Sequence, residues 1–502
     1  MHIVSREEMQ TIDQYAIENI GLTGLVLMEN AGRAFLEHLK PFLAEGERIG
    51  VVIGKGNNGG DGFVTARQLL DQPYETDVWV VVNKEDITGD AAFHMDVYLR
   101  SGGSIKYVHE QPEVFKEKVK EYTMIIDALL GTGFRGTPKK RYQEAIHTIN
   151  KADAKVIAVD LPSGVPANGG HFEHEAIKAD YTFTLQCPKM GMYTQPGAIH
   201  FGQTKIIDIG IPQAAVNQAN ITKQLWTKKD FISTLPKRTP FSHKGSFGKG
   251  LLIAGSENMP GACALSAKAA LTSGIGLLSL YVPKSIKPII ASHVPEAMYV
   301  SGEDIDWNAY DGMAIGPGIG RTGPAEAQLR DILAKTDKPL LIDADGLYHL
   351  KHYLPMLKNK QSPVILTPHP GEMAGLTGLS IKEIENSRFE IAHQFAKEYN
   401  VYLVLKGKYT IVASPEGEQA VNPTGNPALA KGGTGDVLSG MILAFMLQHK
   451  NLFPAICNAV YLHGAVSDQL ILKGHSQMDV LASDIINGIP MVLHDFCRAA
   501  VC

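Results

Sequence analysis

Short apolar runs alternate with amphipathic stretches along most of this chain. In the first half the runs are RIGVVIG, DVWVVV, TMIIDALLG, KVIAVDLPSG and ADYTFTL, with helical segments between several of them. Strands alternating with helices predict an α/β unit built on a doubly wound parallel sheet. Ahead of them Ser5–Leu39 reads as helical. Met9, Ile12, Tyr15 and Ala16 form one stripe, and LMENAGRAFLEHL continues it after a break at Gly21–Gly24. Residues 210–240 are polar, interrupted by prolines and weakly patterned, which places a boundary near 215–225 and units at 1–218 and 225–502. The second half repeats the alternation. LLIAGS, LLSLYV, GMAIG, PLLID and PVILT read as strands, VYLVLKGKYTIV as a hairpin around Lys406-Gly407, and PGACALSAKAALTSGIG as a closely packed helix. A second α/β domain is expected, ending in helices beyond Gly435.

The candidate chemistry sits where strands end. RIGVVIG runs into Lys55-Gly56-Asn57-Asn58-Gly59-Gly60-Asp61-Gly62, read as a glycine loop before the helix-like FVTARQLLD. It matches neither a dinucleotide fingerprint nor a Walker loop. Its asparagines and aspartate are oxygen donors suited to sugar hydroxyls or a hard cation, although a plain turn would share that composition. TMIID ends at Asp127 ahead of Gly131-Thr132-Gly133, and KVIAVD ends at Asp160 ahead of Pro162, Ser163 and Gly164. Ligands bind outside the carboxyl ends of strands in open α/β sheets, so these three ends are expected to converge on one crevice.

In the second half, Gly432, Gly433, Thr434, Gly435 and Asp436 precede the apolar run VLSGMILAFML. Glycines there let backbone N–H groups face one concavity, and the helix adds the positive end of its dipole, a setting for phosphate. A carboxylate beside that anion is awkward unless it handles a proton, which makes Asp436 a candidate base for phosphoryl transfer; an ordinary N-cap is the alternative. His369 lies between two prolines at a strand end, and Lys406-Gly407-Lys408-Tyr409-Thr410 offers cationic and backbone groups to an anion or forms a β-turn with solvated lysines. Asp343 and Asp345 are candidates for assisting magnesium or for N-capping GLYHL.

Composition narrows the classes. With 502 residues, 44% hydrophobic and 20% charged, the chain has the make-up of a soluble globular protein of two or three domains. A net charge of −5 gives no reason to expect nucleic-acid or membrane binding. Cys187, Cys263, Cys457, Cys497 and Cys502 include no CxxC pair, which argues against a disulfide framework or zinc site and fits a reducing compartment. The N-terminus is too polar for a signal peptide, and no apolar run approaches the roughly 20 residues that cross a bilayer, so a cytoplasmic location is expected. No internal repeat or low-complexity segment is visible.

LMENAGRA, GKGNNGGDG, DALLGTGFRG, VDLPSG and PKMGMYTQPGAIHFG stand in the order of the YjeF N-terminal domain, the NAD(P)H-hydrate epimerase, over roughly residues 1–215. The resemblance implies a Rossmann-like fold in which Asn57, Asn58, Gly59, Gly60 and Asp61 hold the damaged dinucleotide. Gly131, Thr132, Gly133, Phe134, Arg135, Gly136 and Thr137 would hold it as well. It also implies K+ on Asn58, Asp127 and Ser163, and contact of Asp160 with the reacting ring. HKGSFGKGLLIAGS, GPGIG, DADGL, TPHPGEM, KGKYT and NPALAKGGTGDVLSG resemble the YjeF C-terminal domain, a ribokinase-like, nucleotide-dependent NAD(P)H-hydrate dehydratase, over about residues 225–500. By that resemblance Ala262, Gly318, His369 and Asp436 contact the hydrate. Lys406, Gly407, Lys408, Tyr409, Thr410, Asn426, Gly432, Gly433, Thr434 and Gly435 would hold ADP or ATP with Mg2+. One departure is AGL after TPHPGEM, where many members carry an arginine before the leucine.

Together the resemblances imply one chain that epimerises R- and S-NAD(P)H hydrate and dehydrates the S form at the expense of ADP or ATP, with ADP favoured, as a homo-oligomer. Asp436 and Asp160 are the expected catalytic residues. Two other readings stay open: a ribokinase-like kinase of a thiazole or pyrimidine alcohol in the second half, and a non-catalytic binding module in the first.

Overall fold

The computed structural model describes residues 1–300 and 305–501; Cys502 lies outside the described residues. The chain divides into two compact units, His2–Ile221 and Thr222–Cys502.

Among the described residues, the first unit has the strands β1 (Arg48–Ile53), β2 (Glu75–Val80), β3 (Ile105–Tyr107), β4 (Met124–Ala128), β5 (Lys155–Val159), β6 (Tyr181–Leu185) and β7 (Gln203–Ile207). They form one sheet in the order β3-β2-β1-β4-β5-β6-β7, with every neighbouring pair parallel. The chain winds outward from β1 in one direction and from β4 in the other, so the switch point lies between β1 and β4. Both faces are covered. Phe35, Phe63, Trp79 and Phe183 are fully buried, each burial contributing about 1.5–3 kcal/mol.

Helix α1 (Arg6–Tyr15) starts in a capping box: the Glu8 N–H donates to Ser5 Oγ at 3.1 Å and the Ser5 N–H to Glu8 Oε2 at 2.6 Å. It continues as a π-turn over Ala16–Ile20, ends at left-handed Gly21, and is followed by α2 (Gly24–Leu39), as the break at Gly21–Gly24 predicts.

The NNGGDG stretch departs from expectation. It is not a loop but the first turns of α3 (Asn57–Leu69). The helix is pressed so close to its neighbours that side chains do not fit. A Cβ on Gly59 would lie 2.2 Å from the Gly54 carbonyl oxygen, one on Gly60 2.2 Å from Met28 Sδ, and one on Gly62 2.7 Å from Ala128 Cβ. The glycines serve close approach rather than turning.

The second unit has β8 (Lys223–Leu225), β9 (Lys249–Ile253), β10 (Leu277–Tyr281), β11 (Met298–Val300), β12 (Gly312–Ile315), β13 (Leu340–Ile342), β14 (Val364–Leu366), β15 (Val401–Leu405), β16 (Thr410–Ala413) and β17 (Gln419–Asn422). Among the described residues they form a sheet of order β11-β10-β9-β12-β13-β14-β15-β16-β17-β8. It is parallel from β11 to β15, with β16 and β17 added antiparallel through the predicted hairpin. Residues 210–240 are more structured than their pattern suggests: a helix Gln213–Gln218, strand β8, and a helix Lys228–Thr234 capped by Thr227. Elements this short do not complete enough periods to register. The small-residue helix Pro260–Thr272 lies against the helix Thr434–Gln448, where a Cβ on Gly440 would meet the Ser266 carbonyl oxygen at 2.0 Å.

Candidate active sites

The first unit holds a cavity of about 590 Å³ at the β1/β4 switch point, within the range of small-molecule sites. Asn57, Asn58, Asp61, Gly131, Thr132, Gly133, Phe134, Arg135, Thr137 and Asp160 line it; Gly59, Gly60 and Gly136 do not. Gly59 and Gly60 are committed to helix packing, and a Cβ on Gly131 would lie 3.0 Å from Asn58 Cβ, so the Gly131 turn lies against the start of α3.

Asp160 leaves the end of β5 with φ of +64°, a strained setting for a residue with a side chain. Its Oδ1 accepts from the Leu185 N–H at 3.0 Å, from Thr184 Oγ1 at 3.2 Å and from Lys189 Nζ. The Lys189 ammonium also donates to Thr184 Oγ1 at 3.1 Å and to the Leu185 carbonyl at 2.8 Å, and its side chain is 1% exposed. The ammonium's three protons are therefore spent, Asp160 is held at Oδ1, and its Oδ2 accepts no hydrogen bond among the described residues. Asp61, on α3, is buried with no hydrogen-bond partner for its carboxyl among the described residues. Burial, then the charges of Asp160 and Asp13, push its pKa well above the ordinary carboxylate value.

Asp127 and Ser163 do not line the cavity; both are fully buried beneath it. Ser163 donates its hydroxyl to Asp127 Oδ1 at 2.6 Å and its N–H to Oδ2 at 2.8 Å, and the Leu130 N–H donates to Ser163 Oγ at 2.8 Å. Burial lifts Asp127 to about 6 against these bonds. Asn58 Oδ1 and Nδ2 are both buried without a partner. An orphaned amide oxygen, a buried carboxylate and a hydroxyl are hard-oxygen donors of the kind K+ takes.

In the second unit the ends of β13, β14 and β15 meet the N-terminus of the helix Thr434–Gln448. Lys406 Nζ lies 3.0 Å from Asp343 Oδ1 and 3.7 Å from Glu372 Oε2, and Ser439 donates to Asp343 Oδ2. Lys406 is thus not a solvated turn lysine. Burial alone would lower its pKa, but Asp343 and Glu372 hold it above the ordinary lysine value. Burial would likewise raise Asp343, which Lys406 and Ser439 hold below its usual range. A Cβ on Gly435 would lie 3.9 Å from Lys406 Nζ, so cation, glycine nest and helix N-terminus share one place.

Asp436, in the first turn of that helix, makes no side-chain hydrogen bond among the described residues. Burial, then Asp343, lift it to about 6, with Lys406 opposing. That open carboxyl suits a base rather than a cap.

Asn426 is tied down by Asp468, which accepts from Asn426 Nδ2 and from the Gly425 N–H, each at 2.8 Å. Lys408 donates to the Gly425 carbonyl at 3.0 Å, joining the Lys406–Thr410 turn to that loop. Thr410 gives its hydroxyl to Gly407. Gly433, at φ of +91°, brings the chain into the helix, and Thr434 Oγ1 bonds the carbonyls of Leu429 and Lys431 at 2.8 Å. Gly432 is exposed beside it. Gly318, at φ of +65°, packs where a Cβ would come 2.8 Å from Ala262 Cβ, close to the β9/β12 switch point.

His369 caps the helix Pro370–Thr377, its Nδ1 accepting from Gly371 and Glu372 N–H groups while the ring stays largely exposed. Its Nε2 lies 3.5 Å from Glu372 Oε1, so the ring has a structural role at this helix start.

The N-capping reading of Asp343 and Asp345 fails. Ala344 occupies the N-cap without a side-chain bond, and Asp345 instead accepts from the Gly320 N–H at 2.9 Å. Nor do they form a metal cage: among the described residues no three His, Cys, Asp or Glu side chains gather around a metal position. A second cavity, of about 650 Å³ and bordered by Trp226, Glu416 and Phe453, contains none of the predicted residues.

Sequence reasoning missed several groups that complete these sites. Lys189 lay inside PKMGMYTQPGAIHFG, with nothing to distinguish it from a surface lysine. Arg388 is 3% exposed and donates to the carbonyls of Leu405, Lys406 and Tyr409, shaping the Lys406–Thr410 turn from a helix. Asp468 and Ser439 sit mid-helix, where periodicity gives no cue.

Comparison with known proteins agrees with this geometry. Residues 24–191 match the family described as YjeF-related protein N-terminus, and residues 250–491 the family described as NAD(P)H-hydrate dehydratase. A bifunctional NAD(P)H-hydrate repair enzyme of Moorella thermoacetica is 35% identical, covering 99% of this chain and 97% of that protein. A ribokinase-like superfamily protein of Enterococcus faecalis V583 is 29% identical over 55% of this chain and 97% of its own, with a TM-score of 0.51. An ADP/ATP-dependent NAD(P)H-hydrate dehydratase of Bacillus subtilis, co-crystallised with ATP/Mg2+, is 38% identical over 54% of this chain and 98% of its own, with a TM-score of 0.49. The chain belongs to the family of bifunctional NAD(P)H-hydrate repair enzymes.

Proposed function

We propose that residues 1–218 interconvert the R and S hydrates of NADH or NADPH, and that residues 225–502 dehydrate the S hydrate with ADP or ATP. The observation that carries the second half is the open carboxyl of Asp436 beside the Lys406–Asp343 pair. Hydroxide is a poor leaving group and phosphate a good one. Asp436 takes the proton of the ring hydroxyl as it attacks the terminal phosphoryl, while Lys406 and the Gly433–Gly435 backbone stabilise charge on that group. The carbon–oxygen bond to phosphate then breaks, the neighbouring ring carbon loses a proton, and the new carbon–carbon double bond restores the dihydropyridine. Asp343 is already occupied by Lys406 and Ser439, so Mg2+ fits this site as the counter-ion carried by the nucleotide phosphates, supplying charge neutralisation. The nucleotide lies along Lys406–Thr410 and Asn426–Gly435, and the hydrate along Ala262, Gly318 and His369.

In the first half the cavity receives the hydrated ring next to Asp160, with Asn58, Asp61 and the Gly131–Arg135 turn along the rest of the dinucleotide. K+ on Asn58, Asp127 and Ser163 would compensate the buried Asp127 charge and fix the Gly131 turn.

Purified S-hydrate of NADH, given Mg2+ and either ADP or ATP, should regain the near-ultraviolet absorbance of NADH with release of free phosphate. A stable phosphorylated dinucleotide would instead favour the small-alcohol kinase reading.

A further inference from the structure

The epimerase cavity is lined by four carboxyls, those of Asp13, Asp61, Asp90 and Asp160, and by one buried ammonium. The ammonium belongs to Lys189 and is consumed by Asp160, Thr184 and a carbonyl. Of the carboxyls besides Asp160 and Asp61, one is Asp13. It stands on α1, where Met9, Gln10 and Asp13 line the cavity together with Ile17 of the π-turn that continues the helix. A wall screened from solvent is a costly place for an acid without a partner, and Asp13 makes no side-chain hydrogen bond among the described residues. Asn58, 7% exposed with both amide atoms unpartnered, lines the same space and marks it independently as a ligand-receiving cavity.

We propose that Asp13 is the second proton-transfer group of the epimerase, working against Asp160 from a different wall of the cavity. The inference rests on the epimerase reading of this unit. Inverting the carbon that bears the hydroxyl requires one group to release oxygen and another to receive it. Protonated Asp13 gives its proton to the departing hydroxyl. The carbon–oxygen bond breaks, water leaves, and the ring nitrogen's lone pair forms a carbon–nitrogen double bond in a planar cation. A water on the opposite face then adds to that carbon, forming a new carbon–oxygen bond, and passes a proton to Asp160. One bond of each kind is lost and regained, nothing is oxidised, and one proton has moved between the carboxyls. In the reverse direction their roles exchange. The Asp13 carboxylate left by the first step also faces the cation and stabilises it.

The surroundings suit this use. Facing Asp13 are Asp160 beyond β5, Lys189 and Cys187 on the segment after β6, and Asp61 on α3. The helix Gln213–Gln218, packed on α1, brings no titratable group. Burial lifts Asp13 to about 6, Lys189 opposing and Asp160 adding to the rise, so it exchanges protons near neutrality.

The test uses the full chain and both purified hydrates of NADH, with epimerisation followed by chiral separation across pH. For Asp13→Asn we expect kcat to fall about 100-fold with KM nearly unchanged, and the limb near pH 6 to vanish. Asp13→Glu restores part of the rate and the limb. Because the acid is raised above its ordinary 3.8, its ionisation opposes folding above about pH 6. Asp13→Asn should therefore melt higher than the parent at alkaline pH, whereas a merely structural Asp13 would make it melt lower. Wild-type rate and pH profile in Asp13→Asn would overturn the proposal. So would epimerisation by the unmodified enzyme in oxygen-18 water without label entering the inverted product, a measurement that needs no variant. If the unmodified enzyme epimerises neither hydrate, the epimerase reading itself fails.

Discussion

Asp343 is buried and Asp436 half-buried at one strand-end cluster, and their surroundings push the two carboxyls in opposite directions. Asp436, lifted to about 6 and without a side-chain hydrogen bond among the described residues, would have to be ionised to accept a proton in the proposed reaction. The dehydratase rate should rise with pH through about 6 and then level, and Asp436→Asn should lower kcat about 100- to 10,000-fold while nucleotide still binds. Calorimetric nucleotide binding beside steady-state kinetics separates the two effects. Asp343 is held below its usual range by Lys406 and Ser439. Its contribution to stability is present above the ordinary carboxylate value and disappears as pH falls through the depressed one. Lys406→Met would leave that charge buried and unpaired. Urea unfolding should report a loss of about 3–5 kcal/mol.

At the scale of elements, close approach decides what each glycine does. A Cβ on Gly59 would lie 2.2 Å from a backbone carbonyl, whereas one on Gly133 meets nothing within 4 Å. Gly59→Ala should therefore cost about 2–3 kcal/mol and impair the cavity, while Gly133→Ala should change stability by less than about 0.5 kcal/mol; equilibrium denaturation of both variants checks the contrast. The same elements show what was legible beforehand. Buried strands followed by glycine and aspartate announced themselves at Asp127, Asp160 and Lys406, because such runs have few other uses. The start of α3 did not, because asparagine and glycine have turn chemistry and only packing against Gly54, Met28 and Ala128 makes them helical. Strands β3, β8 and β11 have three residues each, too few to show a period. Asp13 passed as one more polar residue of an amphipathic helix, since its meaning depends on a cavity assembled from distant segments.

For the whole molecule, the two units should answer to different ligands. K+ should slow backbone hydrogen exchange around Asn58, Asp127 and Ser163 relative to Li+, and Asn58→Ala should remove that effect; nucleotide should instead protect Lys406–Thr410 and Asn426–Asp436. Equal protection by Li+ would argue against the oxygen set selecting K+. The most direct measurement starts from pure R-hydrate of NADH with the full chain, Mg2+ and nucleotide, following NADH absorbance and free phosphate together. The account predicts complete recovery of NADH, one phosphate released per molecule, with recovery slowed to the spontaneous rate of epimerisation in Asp160→Ala and slowed about 100- to 10,000-fold in Asp436→Asn. Accumulation of a stable phosphorylated dinucleotide, or undiminished recovery in Asp160→Ala, would contradict it.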